Sequence, residues 1–285
     1  LRMASGVYRV ARIMSADSYQ SLYHADGKTS TVDVIKGGDG RLILITNGKP
    51  DASINPKTDG PPTSDEGTQA FLASIPLALH PNAKQAAVIG IGCGMTTSVL
   101  LGQPKLERVD TVEIEPKMVD GAAFFKPMSA PLFDDSRSRI VIDDARTYFS
   151  STGAQHDIIV SEPSNPWVSG VSSLFSEEFY ERVSKHLNPG GLLAQWVQLY
   201  ELTPELISSV LAAVNKTFPH VTLFATDDSN IVIVASRDRP IGDLKSEIFD
   251  APKLASRMGR HEVQTTRAFE IYRIGSLEML GPLFN

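Results

Sequence analysis

A short apolar run, Ala86–Ile89, passes directly into Gly90-Ile91-Gly92-Cys93-Gly94, and a helix is expected after it through Thr97–Leu101. This succession of strand, glycine turn and helix narrows the possible folds more than any other feature of the chain. Strands that alternate strictly with helices make a parallel sheet covered on both faces. The alternation continues with strand Arg108–Ile114, which ends in Glu113-Ile114-Glu115-Pro116, and a helix over about Lys117–Phe125. Strand Arg139–Ile142 closes on Asp143-Asp144 and leads to helix Ala145–Ser150. Strand Asp157–Val160 closes on Ser161-Glu162-Pro163, and helix Ser176–Leu187 comes next. Pro189-Gly190-Gly191 turns the chain into strand Leu192–Val197, followed by helix Pro204–Phe218. Val221–Ala225 and Asn230–Ala235 are expected as a closing hairpin.

The chain before this series has a different texture. Gly6–Met14, Ser18–His24, Thr29–Ile35 and Arg41–Thr46 alternate as strands do. Turn signals lie at Lys36-Gly37-Gly38-Asp39-Gly40 and at Asn47-Gly48, so a small antiparallel sheet is expected. Residues 55–64 read as a loop, and Gln69–Leu79 as a mostly buried helix. The 285 residues thus divide into a small β domain over 1–60, a linking loop and helix over 61–82, and a nucleoside-binding domain over 83–240. A helical appendage over 241–285, either a lid or a packing element, completes the chain.

Composition removes several classes of function. A net charge of −6 argues against a nucleic-acid partner, which needs a basic face. The single cysteine, Cys93, excludes an internal disulfide and a cysteine-based zinc site. The six histidines show no metal spacing, and no metal is expected. There is no P-loop, Gly-x-Ser-x-Gly or His-Glu-x-x-His. No apolar run approaches the roughly 20 residues that span a bilayer. The Leu-Arg-Met start fits a piece of a longer product, in which a membrane region has room.

Ligands of such sheets bind at the carboxyl ends of the strands, near the switch in strand order. Polar candidates cluster there. Gly90, Gly92 and Gly94 allow a close backbone approach to a ligand, and their Gly-x-Gly-x-Gly spacing differs from the dinucleotide pattern. A tight strand-to-helix turn explains them equally well. Glu113, 19 residues after Gly94, is placed to accept hydrogen bonds from two ribose hydroxyls; Glu115 is a second candidate, and a solvated strand-end carboxylate the bland one. Asp143 and Asp144 suit an adenine amino group, with the Ala145 N–H donating to the ring, or a helix N-cap. Glu162 sits in Ser161-Glu162-Pro163-Ser164-Asn165-Pro166-Trp167, where it suits binding an ammonium or deprotonating an amine. Trp167 is a wall of the site or a packing aromatic. Cys93 is expected as a small neutral filler beside the ligand rather than as a nucleophile.

These residues, in this order, resemble the spermidine/spermine synthase (polyamine aminopropyltransferase) family. The resemblance rests on Gly90–Gly94, Val112-Glu113-Ile114-Glu115, Asp143-Asp144-Ala145, Glu162–Pro166, Leu174-Phe175 and Glu178-Phe179-Tyr180. It covers about residues 7–236, including Ser18-Tyr19-Gln20. Ser161–Trp167 with Gln195-Trp196-Val197-Gln198 looks most like the branch fused to membrane regions.

The resemblance implies a methyltransferase-like Rossmann sheet, doubly wound, preceded by a small antiparallel β domain. It implies a homodimer and a cytoplasmic domain, with tethering to a membrane region as one arrangement of the full-length product. The implied co-substrate is decarboxylated S-adenosylmethionine, and the implied acceptor a small-molecule amine. On this basis Gln20, Gly90, Gly92, Cys93, Gly94, Glu113, Ile114, Asp143, Asp144 and Ala145 hold the donor. Thr68, Gln69, Asn165, Trp167 and Gln198 form the acceptor side, and Glu162 is the catalytic base.

The departures fall on one half of the site. Cys93 replaces a loop aspartate, Thr68-Gln69 a Tyr-His pair, Glu162 the catalytic aspartate, and Asn165 a second acid. Aminopropyl transfer with release of methylthioadenosine is therefore expected, with two rivals. One is methyl transfer from intact S-adenosylmethionine. The other is a non-catalytic adenosyl-nucleoside-binding module of a membrane protein.

Overall fold

The computed structural model describes residues 18–163, 170–200 and 202–280. The expected strand Gly6–Met14 lies outside them, as do Asn165 and Trp167. Four strands, β1 (Tyr19–Asp26), β2 (Thr31–Gly37), β3 (Leu42–Thr46) and β4 (Lys49–Ile54), form an antiparallel sheet in chain order. Asn47 and Gly48 both carry positive φ, 50° and 76°, which makes the tight turn between β3 and β4. Strand β4 was not expected, because Pro50 and Asp51 are poor strand formers. It lies at the sheet edge, where the missing proline N–H is tolerated.

The larger sheet has eight strands: β5 (Gln85–Ile89), β6 (Arg108–Glu113), β7 (Ser138–Ile142), β8 (His156–Ser161), β9 (Leu187–Gln198), β10 (His220–Asp227), β11 (Asn230–Ser236) and β12 (Arg273–Ser276). Their order is β12-β10-β11-β9-β8-β5-β6-β7. Strands β5 to β9 are parallel, but β11, β10 and β12 each run antiparallel to their neighbours, so the sheet is mixed rather than wholly parallel. The β10–β11 hairpin is present as expected. The chain enters the sheet at β5, steps outward through β6 and β7, and then returns to the other side of β5 with β8. That reversal opens a crevice at the carboxyl ends of β5 and β8.

Helices cover both faces. On one side lie α1 (Ser64–Leu79) and α2 (Met95–Leu100), whose buried residues join Val32, Leu44 and Ile54 of the small sheet in one continuous core. The small sheet therefore packs one face directly onto the larger unit. The helix expected over Lys117–Phe125 is shorter: α3 (Pro116–Ala122) passes through a 3-10 turn into α4 (Lys126–Asp134). Pro127 and Pro131 obscure α4 in the sequence, although Pro127 occupies the helix start, where its missing N–H costs nothing. The opposite face carries α5 (Ala145–Ser151), α6 (Glu177–Ser184) and α7 (Pro204–Thr217), with Tyr148, Phe149, Phe179, Tyr180 and Phe218 at its centre.

The tail contributes α8 (Pro252–Gly259), α9 (Thr266–Glu270), the strand β12 and α10 (Leu277–Leu280). It is thus not helical throughout. Leu244, Ile248, Leu254, Met258 and Phe269 are buried in the main core. Arg260 pairs with the fully buried Glu66 at 2.9 Å and donates to the carbonyls of Asn55, Thr58 and Gly60. Glu66 also completes a capping box with Thr63 at the start of α1. These contacts tie the tail to the entry of α1, so it packs rather than hinges. No helix among the described residues is long and apolar enough to cross a membrane.

Candidate active site

A cavity of about 470 Å³ opens at the strand reversal. Its floor is the carboxyl edge of the larger sheet, with Ile89 at the end of β5 and Gly90 and Gly92 after it, Glu113 and Ile114 at β6, Asp143 and Asp144 after β7, and Glu162 and Pro163 after β8. The small sheet supplies the opposite wall through Leu44, Thr46, Asn47 and Asp51. Ala145, Val171, Leu174 and Trp196 add apolar surface. Ile114 keeps 49% of its surface exposed although it is a large apolar side chain, and it lines this cavity. Such a residue offers a flat apolar face to a planar ligand group.

The glycine turn holds the two sides of the crevice together. Gly90 has φ +92°, and a Cβ there would stand 2.6 Å from the Glu162 carbonyl oxygen. The Gly90 N–H donates to Val112, and the Glu162 N–H donates to Ile89. Gly90→Ala is therefore expected to cost at least about 2 kcal/mol, since it combines a left-handed backbone with a clash against main chain. Urea denaturation measures this, and a variant as stable as the parent would contradict the account.

Glu113 is buried, and both its oxygens are engaged. The Ile91 N–H donates to Oε2 at 3.0 Å and the Glu115 N–H to Oε1 at 2.8 Å. Burial pushes its carboxyl above the ordinary range, and the backbone donors pull it back. Each oxygen keeps a lone pair for a donor in the cavity. Glu115, the second candidate, accepts from the Thr29 N–H and hydroxyl at 2.8 Å and caps α3 through the Lys117 N–H. It serves as a tie between the two sheets. Asp144 caps α5 by accepting from the Arg146 and Thr147 N–H groups and pairs with the Arg146 guanidinium at 3.0 Å, which holds its carboxyl below the usual range. Asp143 accepts from the Asp144 N–H. The cap reading thus accounts for Asp144, while both residues and Ala145 still line the cavity.

Glu162 has the most distinctive surroundings. Gln69 Nε2 donates to Oε1 at 2.8 Å, and Thr96 Oγ1 donates to Oε2 at 2.5 Å. Burial, with the nearby charges of Asp51 and Asp65, pushes its carboxyl up to about 7 against the pull of these two neutral donors. A carboxylate that titrates near neutrality in a cleft is suited to moving a proton.

Several expected site residues stand elsewhere. Gln20 is exposed near the start of β1, opposite Lys36, and does not line the cavity, which meets that hairpin at its other end through Thr29 and Ser30. Cys93 is fully buried behind the glycine turn, where its thiol donates to Gln69 Oε1 at 2.9 Å, and it is not in the cavity wall. Burial and the Glu162 charge drive its pKa upward, which makes it a thiol and not a nucleophile. Thr68 bonds to Thr226 and Asp227. Gln198 accepts from Lys49 Nζ at 3.2 Å, and Lys49 pairs with Asp51 at the same distance. Gly92 lines the cavity as expected, whereas Gly94 begins α2 with φ +81° and packs on Leu132. Among the described residues no group of three or more His, Cys, Asp or Glu side chains is able to hold a metal ion.

Thr96, Asp51 and Lys49 were not anticipated. Thr96 had a faint signal as a hydroxyl in the first turn after the glycines. Lys49 and Asp51 meet on β4 because the β3–β4 pairing shifts by one residue at Asp51, an irregularity that local sequence does not announce.

Comparison with known proteins identifies the setting. The family model described as spermine/spermidine synthase domain matches residues 66–228. Putrescine N-methyltransferase 2 of Nicotiana attenuata is 31% identical over 149 residues, covering 52% of this chain and 40% of that protein. The polyamine aminopropyltransferase of Bacillus subtilis (strain 168) is 29% identical over 157 residues, covering 55% of this chain and 56% of that one. The chain thus spans about half the length of the curated relatives it matches. The crystal structure of spermidine synthase from Thermotoga maritima superposes with a TM-score of 0.67 at 24% identity, over 81% of this chain and 78% of that one. A spermidine synthase complexed with the transition-state analogue AdoDATO gives 0.69 at 22% identity, with the same coverage. These structures share the arrangement of a small antiparallel sheet in front of a methyltransferase-like α/β sheet.

Proposed function

We propose that this chain, which belongs to the spermine/spermidine synthase domain family, transfers an aminopropyl group from decarboxylated S-adenosylmethionine to a small-molecule amine. In this reading Glu113 holds the ribose hydroxyls, Asp143 and Ala145 meet the adenine edge, and Ile114 packs on the ring. The acceptor nitrogen gives its lone pair to the propyl carbon beside the sulfonium. The carbon–sulfur bond breaks, sulfur keeps the pair, and methylthioadenosine leaves as a neutral thioether. Glu162 takes the proton lost by the acceptor nitrogen. Because sulfonium is already a good leaving group, the protein contributes mainly positioning and the removal of one proton. A homodimer belongs to the same reading.

One observation supports it: the Glu162 carboxylate, held by Gln69 and Thr96 and pushed up to about 7 by burial, lines the same cavity as Glu113, Asp143 and Ala145. A base with that proton affinity is about half ionised at neutral pH and accepts a proton readily.

Methyl transfer from intact S-adenosylmethionine is the second reading. It is favoured by the neutral Cys93 at a position where the family resemblance implies an acid, and by the likeness to putrescine N-methyltransferase. Purified protein incubated with each donor and a panel of amines, read by mass spectrometry, separates the two. Spermidine and methylthioadenosine from putrescine and the decarboxylated donor are expected. A methylated amine from the intact donor alone would transfer the assignment to the second reading, and no product from either donor would sink both.

A further inference from the structure

We propose that Gln69 is a positioning residue for Glu162, held in a single amide orientation by the Cys93 thiol. Two positions expected to touch ligand instead act through the base. The proposal rests on the reading of Glu162 as that base.

The geometry is a continuous line of hydrogen bonds. Cys93 Sγ donates to Gln69 Oε1 at 2.9 Å, Gln69 Nε2 donates to Glu162 Oε1 at 2.8 Å, and Thr96 Oγ1 donates to the remaining oxygen at 2.5 Å. Gln69 keeps only 5% of its surface exposed and Cys93 none, and neither lines the cavity. A carboxylate only accepts, so Gln69 must turn its NH2 towards Glu162. An amide alone has two nearly equivalent orientations. A protonated thiol on its other side selects the one in which the oxygen faces Cys93.

Gly92 lies alongside this line: a Cβ there would be in ordinary contact with Gln69 Nε2 at 3.4 Å and Glu162 Oε1 at 3.6 Å, and its φ of +47° is what favours glycine. Every donor in the line is neutral. Neutral donors favour the ionised carboxylate without the large drop in proton affinity that a paired lysine or arginine brings. Among the described residues, the charged groups that act most on Glu162 are Asp51 of β4, itself paired with Lys49, and Asp65 of α1; both acids favour the protonated form. Gln69 and Thr96 oppose them. Cys93 brings no charge.

The test measures Glu162 directly. Protein labelled with glutamate carrying ¹³C at the side-chain carboxyl is titrated by NMR without ligand, and the Glu162 resonance is assigned from its loss in Glu162→Gln. The pH dependence of kcat/KM is measured in parallel. Gln69→Leu is expected to raise the Glu162 midpoint by about one pH unit, which lowers the rate on the acid limb about tenfold. Cys93→Ala moves the midpoint in the same direction by less. Cys93→Ser, which keeps a donor on Gln69 Oε1, returns it to the parental position. Should Gln69→Leu fail to fold, the near-isosteric Cys93→Ala and Cys93→Ser pair still decides the matter. An unchanged midpoint in folded Gln69→Leu or in Cys93→Ala overturns the proposal. A midpoint that moves while the acid limb stays in place leaves the positioning role standing and removes Glu162 as the base.

Discussion

Glu162→Gln is expected to lower kcat by about 10²- to 10⁴-fold while leaving affinity for methylthioadenosine within about twofold. The amide keeps the size and one acceptor of the carboxylate but no longer takes a proton. Because the residues proposed to hold the nucleoside come from other strand ends, binding and turnover are expected to separate in this variant. The parent should show kcat/KM rising tenfold per pH unit below about 7 and level above it, following ionisation of this group. The stability consequence has a definite sign. The folded-state value is raised above the ordinary 4.5, so the contribution of Glu162 to stability is fully present below 4.5 and is lost as the pH rises through about 7. Glu162→Gln should therefore be more stable than the parent above pH 7, by on the order of 2 kcal/mol, and the gap should close below pH 5. Calorimetry from about pH 4 to about pH 9, with turnover measured on the same samples, checks both halves. A variant that loses activity and nucleoside binding together would place Glu162 in donor binding instead.

Glu113→Ala is expected to weaken methylthioadenosine binding by roughly 10²-fold and to destabilise the protein by about 2–5 kcal/mol. The two effects have different origins. Stability falls because the Ile91 and Glu115 N–H groups, both held by this carboxylate, are left buried without acceptors. Binding falls because charge-assisted hydrogen bonds to the ribose are lost. A ribose-deoxy analogue distinguishes the contributions. It should bind the parent about as weakly as the intact nucleoside binds Glu113→Ala, and removing the hydroxyls should cost the variant nothing more. If the deoxy penalty is the same in both proteins, Glu113 shapes the loop without touching ribose. Titration calorimetry with the two ligands decides.

Much of the frame was legible from local patterns. Strand β5, the glycine turn and the acids at the ends of β6, β7 and β8 are read correctly because each is a short-range signal: a buried apolar run, a conformation that glycine favours, and a polar residue where a strand stops. The elements that escaped are those whose local signal opposes their tertiary setting. Strand β4 contains Pro50 and Asp51, α4 contains two prolines, and β12 is only four residues long. Helix α4 packs on α2 and β12 pairs with β10, both far away in sequence, while β4 is held by its hairpin with β3; single-segment propensity registers none of these partners.

The site divides along the same line. The order of residues by itself determined the α/β sheet and its small antiparallel companion. It also determined which strand ends carry the glycines, Glu113, Asp143, Asp144 and Glu162, since strand ends follow from periodicity and ligand crevices follow from strand ends. Only the tertiary structure decided what those side chains do to one another. It sends Cys93 and Gln69 behind the glycine turn and joins them to Glu162. It turns Asp144 into a cap and Glu115 into a tie between sheets. It brings Asp51 from β4 to the wall opposite the larger sheet. The physical reason is range. Backbone periodicity is set within a few residues, whereas the direction of a hydrogen bond and the proton affinity of a buried carboxylate depend on atoms that folding brings together from dozens of residues away.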